Sequence, residues 1–483
     1  RSSPPSGDYV AQVLDSNKNL QKVLYYGYGG AGDITGSYLS GKSAEEKYVY
    51  THIAASYAYA GEAGFTGCKY EDLVKAGVIA YIDHLFAMEE PPKGEISLSK
   101  TSVKAVRDGN VQKTPDITLS GDHRNYISVN VPKDITIYNK TKGTSAENGA
   151  LKIYGGDTFY LTAPMLHTGT YSSGELHGSV GETWRTLVLS TGNSNQDIGV
   201  FESEKANPVS FTVDWLEMTR IELLKKDADT KNPLDGAVYG IYTDSKCEHL
   251  LMEMPATGEE GKAVSDYFEA AIKTVYVKEI KAPDKYAQSD VIHKVDVEAG
   301  KTVTISATDE RVKGAVHIQK IDKETQAFLP QGDSSLAGAV YGREDIVHPD
   351  GKTGVLFKKD SLIAQGVIKE DGTLDFSKLY LGKMYVKEIT PPEGYTVDPT
   401  EYEVDLAYEG QEVAGFKVYL ISSLSKVESG ELQPSNGDQF TAEDFRGYDF
   451  SKEEVAVTYV DGKAVPVQEL ITDKKGNALS PEL

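Results

Sequence analysis

The sequence predicts a mainly β chain, with tandem β-sandwich repeats following a smaller mixed α/β region at the N-terminus. Three observations carry this. Helical periodicity is confined to residues 1–93, and short alternating runs fill 94–217. Two pairs of matching phrases then recur about 100 residues apart. At 483 residues the chain exceeds one core, and roughly 100–200 residues per domain implies several. Thirty tyrosines against 13 phenylalanines suit sheets with one wet face. A net charge of −23 excludes a nucleic-acid partner, which needs a basic footprint.

Taken in order, residues 1–93 form the helix-containing part. Ser43 and Glu46 make a capping box ahead of KYVYTHIAASYAYAG, in which Val49, Ile53 and Tyr57 share a face and Gly61 ends the helix. A second helix is expected over YEDLVKAGVIAYIDHLF, followed by the linker EEPPKG. Residues 94–217 read as a sandwich with Trp184 and Trp215 in its core, on runs such as ITLSG, YISVNV, DTFYLTA and TLVLS. Residues 218–313 and 314–412 are the tandem repeats. IELLKKDADTKNPLDGAVYG answers VHIQKIDKETQAF…SSLAGAVYG, and VYVKEIKAPDKY answers MYVKEITPPEGY. Residues 413–483 read as a partial third repeat, because AGFKVYLI echoes the GAVYGIY phrase.

Alternation along the strands places three charged residues toward the first repeat's core. Lys225 follows Ile221 and Leu223 at even spacing, Glu279 follows Val275 and Val277, and Asp309 follows Val303, Ile305 and Ala307. In the second repeat Lys320 and Glu388 stand likewise. Unpaired charges in a core are costly. Desolvation lowers a lysine pKa and raises a carboxyl pKa, leaving a nucleophilic amine beside a protonated acid. The bland alternative, a rim lysine snorkelling to solvent, weakens because lysine and glutamate recur with the same flanking words.

These words resemble the CnaB, or SpaA-like, repeats of Gram-positive adhesins and pilins. The resemblance rests on KKD and KID, LDGAVYG and LAGAVYG, and YVKEIKAP and YVKEITPP; it covers roughly 218–412 well and 413–483 partly. It implies a Lys–Asn/Asp isopeptide bond with a catalytic Glu, which falls on Lys225, Asp309 and Glu279. In the second repeat it falls on Lys320 and Glu388 with the acceptor unknown, since no closing strand is found before AGFKVYLI. KVLYYGYGGAG followed by KYVYTHIAASYAY resembles the thioester domains at the tips of such proteins. Their motif pairs a Cys with the Gln of a Thr-Gln helix. Here Thr51 matches, His52 replaces the Gln and no Cys precedes them. A Cys upstream of Arg1, Cys68 and Gln196 remain as participants, and the expectation is the fold without an intact thioester in these residues.

Cys68 and Cys247 lack metal spacing or a disulfide framework, so no metal and no cofactor is expected. No apolar run approaches the roughly 18 residues of a membrane span. Both ends read as cut, which places any cell-wall anchor outside the chain. The resulting expectation is an extracellular, cell-wall-anchored adhesin or its stalk that contacts a host surface or matrix protein. Its only chemistry would be single-turnover self-cross-linking, so it is not an enzyme. A pilus subunit without adhesion is the alternative, ahead of a carbohydrate-processing or carbohydrate-binding module.

Overall fold

The computed structural model describes residues 10–65, 67–190, 198–323, 337–391, 395–408 and 416–422. It divides into two units, Arg1–Met218 and Thr219–Leu483.

In the first unit, Asn17 caps helix Lys18–Tyr26 by accepting from Leu20 N–H. The capping box at Ser43 and Glu46 opens helix Ala44–Ala60, and Gly61, at φ 62°, ends it as the sequence requires. The expected second helix is two, Tyr70–Lys75 and Val78–Ala87, because Gly77 takes a left-handed φ of 80° between them. Val23, Ala54, Tyr81, Ile82 and Leu85 close this core.

The 94–217 segment is not all sandwich. Strands Glu182–Ser190 and Ile198–Lys205 form a hairpin, whose first strand also pairs antiparallel with Val10–Val13. The hairpin packs on helix Lys18–Tyr26. Gln21 Nε2 donates to Trp184 O at 3.3 Å, and Tyr25 meets the rings of Trp184 and Phe201 edge-on. Trp184 is therefore half-buried against the helical region rather than in the sandwich core. The reason is long-range pairing, which local alternation cannot reveal. The sandwich proper sets a sheet around Ile117–Gly121, Tyr126–Asn139 and Thr158–Pro164 against Ser102–Lys104, Thr170–Ser172 and Thr212–Asp214. Ile127, Phe159, Phe211 and Trp215 fill it.

In the second unit both repeats share one plan. The opening strand Met218–Asp227 pairs in parallel with the closing strand Thr302–Asp309, and a four-stranded sheet containing Val238–Tyr242 and Thr274–Lys281 packs across from them. In the second repeat, Gly314–Asp322 pairs in parallel with Phe416–Ser422 from Val316–Phe416 to Asp322–Ser422. Phe416–Ser422, which holds the FKVYLI of that phrase, is thus the closing strand of the second repeat and not the start of a third. A strand's composition identifies it as a strand but does not name its partner, which is why the echo of GAVYGIY misled. Residues 423–483 lie outside the described residues. Among the described residues, no helix is long and apolar enough to cross a membrane.

Candidate functional site

The first repeat's opening strand alternates strictly from Arg220 to Asp227, burying Ile221, Leu223, Lys225 and Asp227. Lys225 is 0% exposed, which rules out snorkelling. Its Nζ donates to Asp309 Oδ1 at 2.5 Å and to Tyr239 OH at 2.7 Å, and lies 2.9 Å from Glu279 Oε1. Asp309 comes from the last strand of the same sheet and Glu279 from the facing sheet, so the three meet inside the sandwich. Ser289 N–H holds Glu279 Oε2 at 2.7 Å.

Two carboxyls against one amine leave an excess negative charge unless a proton is retained. Burial pushes Asp309 up to about 7; the Lys225 charge opposes this and the Glu279 charge adds to it. Asp309 Oδ2 is buried without a hydrogen-bond partner among the described residues, and Glu279 Oε1 has only its 2.9 Å ion pair with Lys225, so a retained proton on either carboxyl has somewhere to go. Burial, with the neighbouring carboxylates second, raises the Tyr239 phenol far above its usual value and keeps it a neutral O–H. The arrangement can deliver an amine to a protonated carboxyl with a second carboxyl in reach of both.

The sequence missed Tyr239. It lies in the repeated GAVYG phrase, but its partner Tyr341 is not its structural equivalent. Tyr239 stands opposite Glu279, whereas Gly338 stands opposite Glu388. The phrase repeats while the strand register shifts.

In the second repeat, Lys320 Nζ donates to Glu388 Oε1 at 2.6 Å, both buried, and Asp398 N–H holds Glu388 Oε2 at 2.6 Å. The pair therefore repeats the Lys225–Glu279 geometry. At the register position of the acceptor the second repeat has a different residue. Asp309 is paired with Asp227 across the parallel strands, and the corresponding partner of Asp322 is Ser422. A hydroxyl cannot accept an amine to form an amide, so the register supplies Lys320 with no acylating group at that position.

In the first unit the structure brings Thr51 to the Tyr-rich turn but not His52. Thr51 Oγ1 accepts from Tyr28 N–H at 3.0 Å and lies 3.1 Å from Tyr81 OH. A Cβ on Gly27 would fall 2.4 Å from Thr51 Cγ2, so only glycine permits this approach. His52 points outward, exposed and stacked on Tyr48. Cys68 is exposed, and Gln196 lies outside the described residues. Methylamine should therefore leave the mass of the chain unchanged; incorporation traced to Cys68, Gln196 or His52 would show a reactive site here.

Residues 1–92 match the thioester domain family, and 97–180 match the thioester-domain-associated β-sandwich. Residues 219–311 and 314–417 match the SpaA family of prealbumin-like fold domains. The chain carries a thioester domain, its associated β-sandwich and two SpaA-type repeats. The sandwich match stops at 180, just before the hairpin that returns to the helices, and the last match runs into the closing strand at 416. No curated protein matches this chain. Among solved structures, the Bacillus anthracis TIE protein is 18% identical over 87% of this chain and 74% of its own, with a TM-score of 0.47. A streptococcal ancillary pilin is 11% identical over 63% of this chain and all of its own, at 0.20. The minor pilin GBS52 of Streptococcus agalactiae is 14% identical over 44% of this chain and all of its own, also at 0.20. The family matches, rather than these distant likenesses, carry the assignment. A thioester domain joined to SpaA-type repeats supports a surface protein of the adhesin or pilin type.

Proposed function

We propose that this protein is the exposed part of a Gram-positive, cell-wall-anchored adhesin, and that its first repeat staples itself with an amide between Lys225 and Asp309. The observation that carries the reading is the 2.5 Å approach of Lys225 Nζ to Asp309 Oδ1 in a fully buried site with Glu279 beside both.

The chemistry follows from the geometry. The neutral amine of Lys225 attacks the Asp309 carboxyl carbon while the acid is protonated. Glu279 takes a proton from the attacking nitrogen and returns one to the departing hydroxyl. One C–N bond forms, one C–O bond breaks and one water leaves. The product is neutral, which removes the buried charges that made the site costly. The reaction consumes its own side chains once, so the protein is not an enzyme.

The N-terminal domain supports attachment to a host surface or matrix protein, with the repeats as its stalk. The reading of a pilus subunit without adhesion shares the stapled repeats and differs only in this domain. Binding of the 1–217 portion to host-cell or matrix protein, measured against the 218–422 portion, separates the two. Retention by the first portion alone supports the adhesin, and equal retention by both, or none, contradicts it.

A further inference from the structure

The junction between the two repeats gathers charged groups that stapling does not use. Asp227 ends the first repeat's opening strand, and His348 and Asp350 follow the short strand Ile346–Val347 in the second. They are 1%, 2% and 4% exposed. One donor atom from each lies within 4.8 Å of the others.

The hydrogen bonds show which atoms remain available. Asp227 Oδ1 accepts from Asp229 and Thr230 N–H, and Oδ2 accepts from Tyr286 OH. Asp350 Oδ1 accepts from Lys352 and Thr353 N–H. Asp350 Oδ2 accepts from Thr230 and Thr353 hydroxyls and from Asn232 Nδ2. His348 Nδ1 accepts Asp350 N–H at 3.2 Å, so the neutral ring carries its proton on Nε2. That nitrogen is buried with no hydrogen-bond partner among the described residues, and it faces Asp227 Oδ2 at 3.8 Å, beyond hydrogen-bond reach. Neither nearby cationic group bonds these three residues, although Arg311 Nε is also buried without a hydrogen-bond partner among the described residues. Arg311 lies over the Tyr380 ring, 3.8 Å from Asp229, and Lys352 Nζ donates to Pro233 and Glu259 carbonyls. Two buried carboxylates and an unsatisfied imidazole therefore face one another across the joint.

We propose that His348 Nε2 and Asp227 Oδ2 bind a divalent transition-metal ion of the zinc or manganese class, with Asp350 fixing the ring from behind and water completing the coordination. Imidazole with carboxylate is the donor set of such ions, whereas calcium takes oxygen alone. Bonds of about 2.1 Å to each atom span the 3.8 Å between them. On binding, the ring proton moves from Nε2 to Nδ1, which gives up the Asp350 N–H it had accepted and donates instead to Asp350 Oδ1, 3.4 Å away. No proton leaves the site. Because one ligand comes from each repeat, the ion clasps the repeats together. No spacing in the sequence announces it, since Asp227 and His348 belong to different repeats.

The test uses the full chain, stripped with a chelator and titrated with zinc or manganese chloride. The expected result is one equivalent bound and a melting temperature several degrees higher, with both effects lost in His348→Gln and Asp227→Asn. Cobalt substitution gives a readout in the unaltered protein, through visible d–d bands whose appearance reports the ion held at the site and whose intensity reports its coordination geometry. Equal binding by the parent and both variants, or none by the parent, overturns the proposal. So does stabilisation by acid but not by metal, which would mean that a protonated His348 closes the gap to Asp227 instead.

Discussion

Glu279→Gln should leave Lys225 and Asp309 unlinked and lower the melting temperature of the first repeat by about 20 °C. Lys225 Nζ already sits 2.5 Å from Asp309 Oδ1, so proximity survives the substitution; what is lost is the group that carries protons between amine and hydroxyl. Glutamine keeps the size of Glu279 and can still accept Ser289 N–H, which preserves the fold. The missing bond would have closed a loop across 84 positions of the chain. A cross-link of that span restricts the unfolded chain by about 4 kcal/mol in the loop-entropy model. Lys225→Ala should melt at least as low, since it also strands two carboxyls in the core without a cation. Differential scanning calorimetry beside intact mass checks both, and a Glu279→Gln protein still lighter by one water would remove Glu279 from the chemistry.

Ser422→Asp should place a carboxyl in the second repeat where Asp309 stands in the first, and so yield the equivalent bond to Lys320. Lys320 and Glu388 are buried and 2.6 Å apart, and Ser422 occupies the position that Asp309 holds in the first repeat. The expected outcome is the loss of one further water and a stabilisation of the same order, about 4 kcal/mol. Gly338 stands where Tyr239 stands in the first repeat, so the experiment also asks whether the tyrosine is needed. A folded Ser422→Asp protein without the bond, cross-linked only when a tyrosine is restored opposite Glu388, would make Tyr239 part of the machinery.

How much of this was legible follows from what a sequence encodes locally. Alternation around Lys225, Glu279 and Asp309 announces which way each points, and the structure gathers them. The capping box at Ser43 and the stop at Gly61 depend only on neighbours, and both are where the sequence places them. What failed depends on partners far away in the chain. The strand of Trp184 belongs to the helical region through its pairing with Val10–Val13. Phe416–Ser422 closes a repeat because of Gly314–Asp322, about a hundred residues earlier. Tyr239 was hidden for a related reason: identical words in GAVYG sit in different registers, and only the cross-strand partner shows it.

The central claim is the Lys225–Asp309 amide, and tandem mass spectrometry of the digested wild-type protein tests it most directly. The account predicts a branched peptide joining the Lys225 and Asp309 segments, lighter by one water than their sum, with fragments that place the junction at those two residues. Separate, unlinked peptides carrying Lys225 and Asp309 would contradict it.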